Sequence, residues 1–241
     1  MFSRLLHRRP FALRWPSQCA VCHSWQAERL CEPCLRRFVP QTNRCVRCAL
    51  RLPDGPKLCG ECIKQPPPYE FTVAALDYDH PWDGLLHALK FRAALDLAPT
   101  LAARLQHAVE TRLQPGIMPR PDLLLPTPLH PARLRERGHN PAWELARRLA
   151  APLGLCAESR LLLRIKDTPH QLALTREQRR ANMRDAFALE PARRSEVAQR
   201  SVAIVDDVMT SGATAAEMAR TLLQAGASSV QIWVLARTAL E

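Results

Sequence analysis

Lysine is nearly absent from this chain of 241 residues: only Lys57, Lys64, Lys90 and Lys166 stand among 34 basic residues, and the other thirty are arginine. Such a skew follows codon usage as readily as binding, so the formal charge of +11 is weak ground for a nucleic-acid partner. Aromatic residues make up 5%, too few for a surface built mainly of stacking platforms. No run approaches the roughly 18–20 consecutive apolar residues of a membrane helix. The basic start, Met1 to Pro10, lacks the apolar stretch of a secretory signal and reads as a short arm ahead of the first cysteines. Neither G-x-G-x-x-G nor Gly-Lys-Ser/Thr occurs, which excludes a dinucleotide fingerprint and a Walker loop. The expectation is a soluble, cytoplasmic protein with no membrane insertion. With 47% hydrophobic and 24% charged residues the chain is not disordered. Its length suits one large domain or two small ones.

Cysteine, in contrast, is plentiful and clustered. Eight of the nine cysteines form four C-x-x-C pairs, Cys19/Cys22, Cys31/Cys34, Cys45/Cys48 and Cys59/Cys62. Each C-x-x-C turn presents two sulfurs on one side of a tight loop, and two turns complete a tetrahedral four-thiolate site. A disulfide framework needs an oxidising compartment, for which no export signal speaks, and a redox C-x-x-C normally stands alone beside a strand–helix unit. A segment of this size with few large apolar side chains buries too little surface to fold unaided. Structural Zn²⁺ supplies the missing free energy, on the order of 10–16 kcal/mol per site. Two structural zinc ions are expected, with no open position for catalysis. Spacing favours sequential pairing (Cys19, Cys22, Cys31, Cys34 and Cys45, Cys48, Cys59, Cys62) over an interleaved one. Two such sites would lower the formal charge to about +7. His23 is a possible but superfluous ligand, and Cys156 reads as a small buried apolar residue.

Pro66-Pro67-Pro68 reads as a stiff spacer, setting a double zinc-ribbon domain (1–66) before a second domain (67–241). Beyond it, strand and helix patterns alternate. Strands are expected at Phe71–Tyr78, Asp122–Pro126, Leu161–Ile165, Val202–Val205 and Val230–Leu235. Helices are expected at Trp82 to about Arg92, Asp96–Leu113, Asn140–Ala151 and Ala213–Ala225, with a brief one from the Thr175/Gln178 capping box toward Arg184. This alternation implies an α/β fold, a mostly parallel sheet covered on both faces, with ligands beyond the carboxyl ends of its strands.

The most informative segment is Val202-Ala-Ile-Val-Asp-Asp-Val-Met-Thr-Ser-Gly-Ala-Thr214. An apolar strand runs into Asp206 and Asp207, then into a small, hydroxyl-rich turn that opens a helix. Thr210, Ser211, Gly212, Ala213 and Thr214 present backbone N–H groups and hydroxyls as a phosphate cradle. The two carboxylates suit ribose hydroxyls and positive charge developing on a sugar ring. Taken singly, each of these residues also suits an ordinary cap.

This run resembles the signature of type I phosphoribosyltransferases. Together with the cysteines, the chain resembles the ComF/GntX family, linked to competence and the use of external DNA. Further matches are Lys90-Phe91, Leu125-Pro-Thr-Pro-Leu129, Arg137-Gly-His-Asn140, and Arg164, Thr168, Gln171, Leu174, Arg179, Asn182 and Phe187. They extend from about residue 17 to 237. Two departures, His139 for Phe and Pro141 for Gln, leave the 137–140 motif without an assigned role. The resemblance implies a type I phosphoribosyltransferase-like domain binding phosphoribosyl pyrophosphate, or a related ribose phosphate, with Mg²⁺. It makes Asp206 and Asp207 the catalytic pair and Pro126, Thr127 and Pro128 the pyrophosphate loop. It makes 166–182 a mobile loop whose Lys166, Arg176, Arg179 and Arg180 meet pyrophosphate oxygens. The rival expectation is a nucleic-acid-binding accessory protein on the same fold, without significant turnover. Its ribbons would bind single-stranded DNA or a DNA-uptake protein, through a patch of Arg36, Arg37, Arg44, Arg47 and Arg51.

Overall fold

A computed structural model describes residues 16–39, 42–114, 116–167 and 176–239. The cysteine-rich region contains a small hairpin, β1 (Ser17–Gln18) with β2 (Trp25–Gln26), and two short helices, α1 (Glu32–Phe38) and α2 (Gly60–Lys64). The remainder runs β3 (Phe71–Asp77), α3 (Trp82–Phe91), α4 (Ala98–Glu110), β4 (Leu123–Pro126), α5 (Pro131–Arg137) and α6 (Pro141–Leu153). It continues with β5 (Cys156–Ala157), β6 (Leu162–Arg164), α7 (Arg176–Met183), β7 (Phe187–Leu189), β8 (Ser201–Met209), α8 (Ala213–Gln224) and β9 (Ser229–Arg237). Short 3₁₀ turns occupy Leu95–Leu97 and Pro191–Val197.

Five strands form one parallel sheet in the order β3-β9-β8-β4-β5. Side chains alternate between the two faces of a strand, so a doubly covered sheet needs apolar residues at every position. β8 meets this demand. Val202 and Ile204 join the core beneath α8 and the β6–β7 hairpin, whereas Ala203 and Val205 join the core beneath α3, α4 and α6. All four are completely buried, each such aliphatic side chain larger than alanine contributing about 1.5–3 kcal/mol.

The expected elements are all present, with differences that have physical causes. The predicted strand at Leu161–Ile165 lies outside the sheet, pairing antiparallel with β7. Helix α5 escaped the periodicity reading because it is short, has no buried residue and is started by Pro131. Cys156 is exposed rather than buried, since it sits on the two-residue edge strand β5. Thr175, half of the capping box, lies outside the described residues, although the helix it announces is α7.

The cysteine region also covers an edge of the sheet. The unpaired side of β3 would expose backbone donors and acceptors. Instead the Thr72 N–H donates to the Val46 carbonyl at 2.9 Å, and Asp77 at the strand's end accepts from Arg44 and Arg51 at 2.9 and 2.7 Å. Residues Leu30, Leu35 and Phe38 pack into the core beneath α3 and α4, where the Trp82 indole donates to the Phe38 carbonyl at 2.9 Å.

Replacing Ile204 by Ala should lower stability by about 2–5 kcal/mol, because both sides of β8 are covered and the cavity has no neighbour free to fill it. Cys156→Ser should change it by no more than about 0.5 kcal/mol. Chemical unfolding midpoints of the two variants give the comparison.

Candidate functional site

The eight cysteines fall into two groups, Cys19, Cys22, Cys31, Cys34 and Cys45, Cys48, Cys59, Cys62, with the sulfurs of each group within 4.8 Å of one another. Pairing is therefore sequential. A tetrahedron of Zn–S bonds has edges of about 3.8 Å, and the Cys22–Cys31 and Cys48–Cys59 sulfurs stand 3.6 Å apart in their respective groups. The donor set and its spacing fit Zn²⁺.

The two groups are built alike. In each, the first cysteine's carbonyl accepts from the residue four positions on, His23 or Ala49, and that residue has a left-handed φ of 60° or 57°. Cys31 and Cys59 occupy the N-cap positions of α1 and α2, and their N–H groups point at the Cys19 and Cys45 sulfurs, 3.5 and 3.4 Å away. His23 is not part of either group.

The acidic pair lies near the carboxyl end of β8. Asp206 and Asp207 are consecutive in a strand, so they turn to different sides. Asp207, 8% exposed, meets Lys90 at the end of α3, with Nζ 2.8 Å from Oδ1. Asp206 accepts the Asp207 N–H at 2.8 Å, and Arg164 of β6 feels its charge. Burial first and the neighbouring Asp207 charge second raise the Asp206 carboxyl to about 7, with Lys90 working in the opposite direction. Arg137 is pulled down by burial and supported by Asp207. Two carboxylates thus lie inside a rim of three cations.

Beside them runs the turn from β4. Pro126 pairs with Val205 in register, and Thr127 extends the ladder by donating to the Val205 carbonyl at 2.8 Å. Thr127 is buried with its hydroxyl. The sheet order, which makes β4 and β8 neighbours, therefore brings Pro126–Pro128 against Asp206.

The 137–140 motif has a visible role here. Gly138 ends α5 with a left-handed φ of 76°. Asn140 caps α6 by accepting from Ala142 N, and its amide donates to the Thr127 carbonyl at 3.0 Å. His139 Nε2 lies 2.8 Å from the Leu89 carbonyl, next to Lys90, and Arg137 stacks 4.9 Å over Phe91. The motif holds the β4 turn on one side and the end of α3 on the other. Sequence reasoning matched Lys90 and Arg137 to motifs but gave neither a place at the carboxylates, because the ion pair joins positions 90 and 207. The one available signal was the scarcity of lysine.

The Thr210–Thr214 turn leads into α8. Gly212 is the N-cap residue with φ 78°, and Ser211 Oγ accepts from Ala213 N at 3.4 Å. The left-handed φ favours glycine here, and a Cβ on Gly212 would stand 2.8 Å from the flexible Met209 Cε and 3.1 Å from the Tyr69 hydroxyl, so both side chains would have to give way to it.

Other expected participants are placed differently. Lys166 donates to the Arg184 carbonyl at 2.7 Å, tying together the stems of the expected mobile loop. Thr168, Gln171 and Leu174 lie outside the described residues, as do the side chains of Arg176, Arg179 and Arg180 on α7. The ribbon arginines are engaged within the protein: Arg44 and Arg51 with Asp77, Arg47 with the Tyr69 carbonyl, Arg36 with Glu32 and Arg37 over Phe38. No helix among the described residues is long and apolar enough to cross a membrane.

No protein-family model matches the chain. It is 36% identical to DNA utilization protein YhgH of Salmonella typhi over 210 residues, 87% of this chain and 90% of that protein. It is 32% identical to competence protein F of Haemophilus influenzae over 208 residues, 86% of this chain and 90% of that protein. Among solved structures, it is similar to a purine phosphoribosyltransferase from Pyrococcus horikoshii at 17% identity and a TM-score of 0.36, over 57% of this chain and 74% of that one.

Gly212→Ala should cost stability through the left-handed φ, about 1–2 kcal/mol, with the Met209 contact adding to it. Asn140→Ala should cost about 1 kcal/mol as a lost cap and also free the β4 turn. Thermal unfolding of both, with hydrogen exchange at 126–130, separates the cap from the turn.

Proposed function

The chain belongs to the ComF/GntX family, that of DNA utilization protein YhgH and competence protein F, and from this premise we propose that it binds phosphoribosyl pyrophosphate, or a related ribose 5-phosphate, beyond the ends of β4 and β8. One observation carries the proposal: the buried Asp207 and half-buried Asp206 carboxylates, a glycine-containing helix-opening turn and the Pro126–Pro128 turn converge at the carboxyl ends of adjacent parallel strands, with Lys90, Arg137 and Arg164 close enough for their charges to act on the acids. Ligands of such sheets lie there.

In this reading Thr210, Ser211, Gly212, Ala213 and Thr214 hold the 5-phosphate, and Asp206 and Asp207 accept hydrogen bonds from the ribose hydroxyls. The reaction is pentosyl transfer. The C1–O bond to pyrophosphate breaks with its electron pair leaving on pyrophosphate, and an acceptor base or amine forms the new bond at C1. The carboxylates steady the positive charge that develops on the ring. Pro126, Thr127 and Pro128 receive the departing pyrophosphate. Arg137, with Arg176 and Arg179 from the loop that closes over the ligand, opposes its charge. Asp206 and Asp207 are the residues that would help hold a Mg²⁺ ion brought with the substrate, and the ion would add to the neutralisation of the leaving group. Zinc fills both cysteine groups and is structural. Residues 1–66 form the ribbon domain and 67–241 the ligand-binding domain.

The second reading, a DNA-handling protein without turnover, draws on the names of the relatives, which speak of DNA utilization and competence. The engagement of Arg44, Arg47 and Arg51 with Asp77 and Tyr69 weighs against a DNA patch on the ribbons.

Pyrophosphate release from phosphoribosyl pyrophosphate, screened across bases and amines, should be abolished by Asp206→Asn together with Asp207→Asn. Failure of the wild-type protein to bind the compound by calorimetry would overturn the reading. Single-stranded DNA binding with a steep log–log salt dependence would favour the second one.

The pH dependence has a definite sign. With its pKa raised on folding to about 7, Asp206 holds a proton in the native state that the unfolded chain has lost. Its contribution therefore makes stability fall as pH rises from about 4 to about 7, with no further change above. Ribose hydroxyls and a cation both favour the ionised carboxylate. Ligand binding at pH 6 should thus release a proton, read as a buffer-dependent binding enthalpy, and affinity should rise toward pH 7 and level off. Asp206→Asn should remove the proton release.

A further inference from the structure

The first and second cysteine groups meet different parts of the molecule. The first packs, through Leu30, Leu35 and Phe38, beside α3 and α4, with Arg29 bridging to Asp96 at 2.8 Å. The second meets the phosphate turn, and the link is Arg237, the last residue of β9. Its side chain is 3% exposed. Nε donates to the carbonyl of Cys48, a member of the second group, at 2.9 Å, and Nη1 donates to the carbonyls of Met209 and Thr210 at 3.2 and 2.5 Å.

The direction of those bonds matters. In a planar trans peptide the C=O and the following N–H point oppositely. A guanidinium that holds the carbonyls of Met209 and Thr210 from one side therefore aims the N–H groups of Thr210 and Ser211 to the other. Tyr69, in the segment following the second group, adds support. Its hydroxyl stands 3.1 Å from where a Gly212 Cβ would be, and its carbonyl accepts from Arg47, between Cys45 and Cys48, at 3.1 Å. Among the described residues Arg237 has no carboxylate partner within ion-pair distance. Four thiolates around Zn²⁺ carry a net charge of about −2, so the metal site itself would oppose this buried cation.

We propose that Arg237 is a positioning residue that makes the second metal site part of the phosphate cradle: metal bound by Cys45, Cys48, Cys59 and Cys62 fixes the Cys48 carbonyl, which fixes the guanidinium, which sets the 209–212 turn. Among the described residues the first cysteine group has no such connection. Loss of the second metal, by chelation or thiol oxidation, would loosen the cradle without touching Asp206 or Asp207. The ligand side of this inference rests on the phosphoribosyl reading above, but the mechanical link does not.

The test uses the full-length, metal-loaded protein. Hydrogen exchange of the segment 209–218 reports the turn directly and needs no ligand. Cys62→Ser should speed exchange there by about tenfold or more, as loss of a charged hydrogen bond allows, while Cys34→Ser leaves that segment at the wild-type rate. Arg237→Gln should give the same acceleration while retaining two bound metals per chain by a colorimetric chelator assay, which covers the case in which Cys62→Ser fails to fold. Arg237→Lys, keeping the charge but not the fork, should fall between. Titration with ribose 5-phosphate should show affinity falling in the same order, about tenfold for Arg237→Gln. Wild-type exchange at 209–218 in Arg237→Gln, or equal acceleration in Cys34→Ser and Cys62→Ser, would overturn the inference. If exchange behaves as expected but the wild-type protein binds no pentose phosphate, the phosphoribosyl reading fails and the link stands.

Discussion

Two carboxylates on consecutive residues lie near the carboxyl end of a strand whose preceding run is apolar and covered on both faces, and their burial is unfavourable unless charge opposes it. Much of the surrounding structure answers this demand. Lys90 reaches Asp207 from the end of α3, Arg137 lies within its field, and Arg164 lies within that of Asp206. Asp206 carries the remaining strain as a raised affinity for its proton. Under the proposed function a ligand takes over that compensation, a polyhydroxylated sugar with a multivalent anionic tail offering donors to the acids and charge to the cations.

The cations are not placed by chance packing. Helix α3 ends where its Leu89 carbonyl meets His139, so Lys90 is presented at a defined point. The same short motif caps α6 through Asn140 and holds the Thr127 carbonyl. A departure from the family pattern at His139 is therefore accommodated locally: an imidazole, unlike a phenyl ring, has a nitrogen to hydrogen-bond the carbonyl. Pro141 fits because it is the first residue of α6, where no backbone donor is missed.

The cysteine region serves the sheet as well as itself. It satisfies the exposed donor of Thr72 on edge strand β3, occupies Asp77 with two arginines, and reaches the turn that opens α8 through Arg237. Arginines that look like a nucleic-acid patch in the sequence are largely the fastenings of this seam.

What the sequence determined by itself was everything with a local rule: the alternation of short apolar runs with 3.6-residue periods that marks buried strands and helices, the C-x-x-C spacing, and the Asp-Asp run leading into a small helix-opening turn. Even sequential cysteine pairing was favoured there, since short gaps bring consecutive pairs together. Tertiary structure alone decided which strands became neighbours, and hence that Pro126–Pro128 would lie against Asp206. It also decided that Lys90 would find Asp207, that Cys156 would fall on an exposed edge, and that Arg237 would join the second cysteine group to the turn that opens α8. Those contacts link positions as far apart as 48 and 237, and no periodicity or spacing rule reaches across such distances. They follow only once burial of both sheet faces has fixed the strand order.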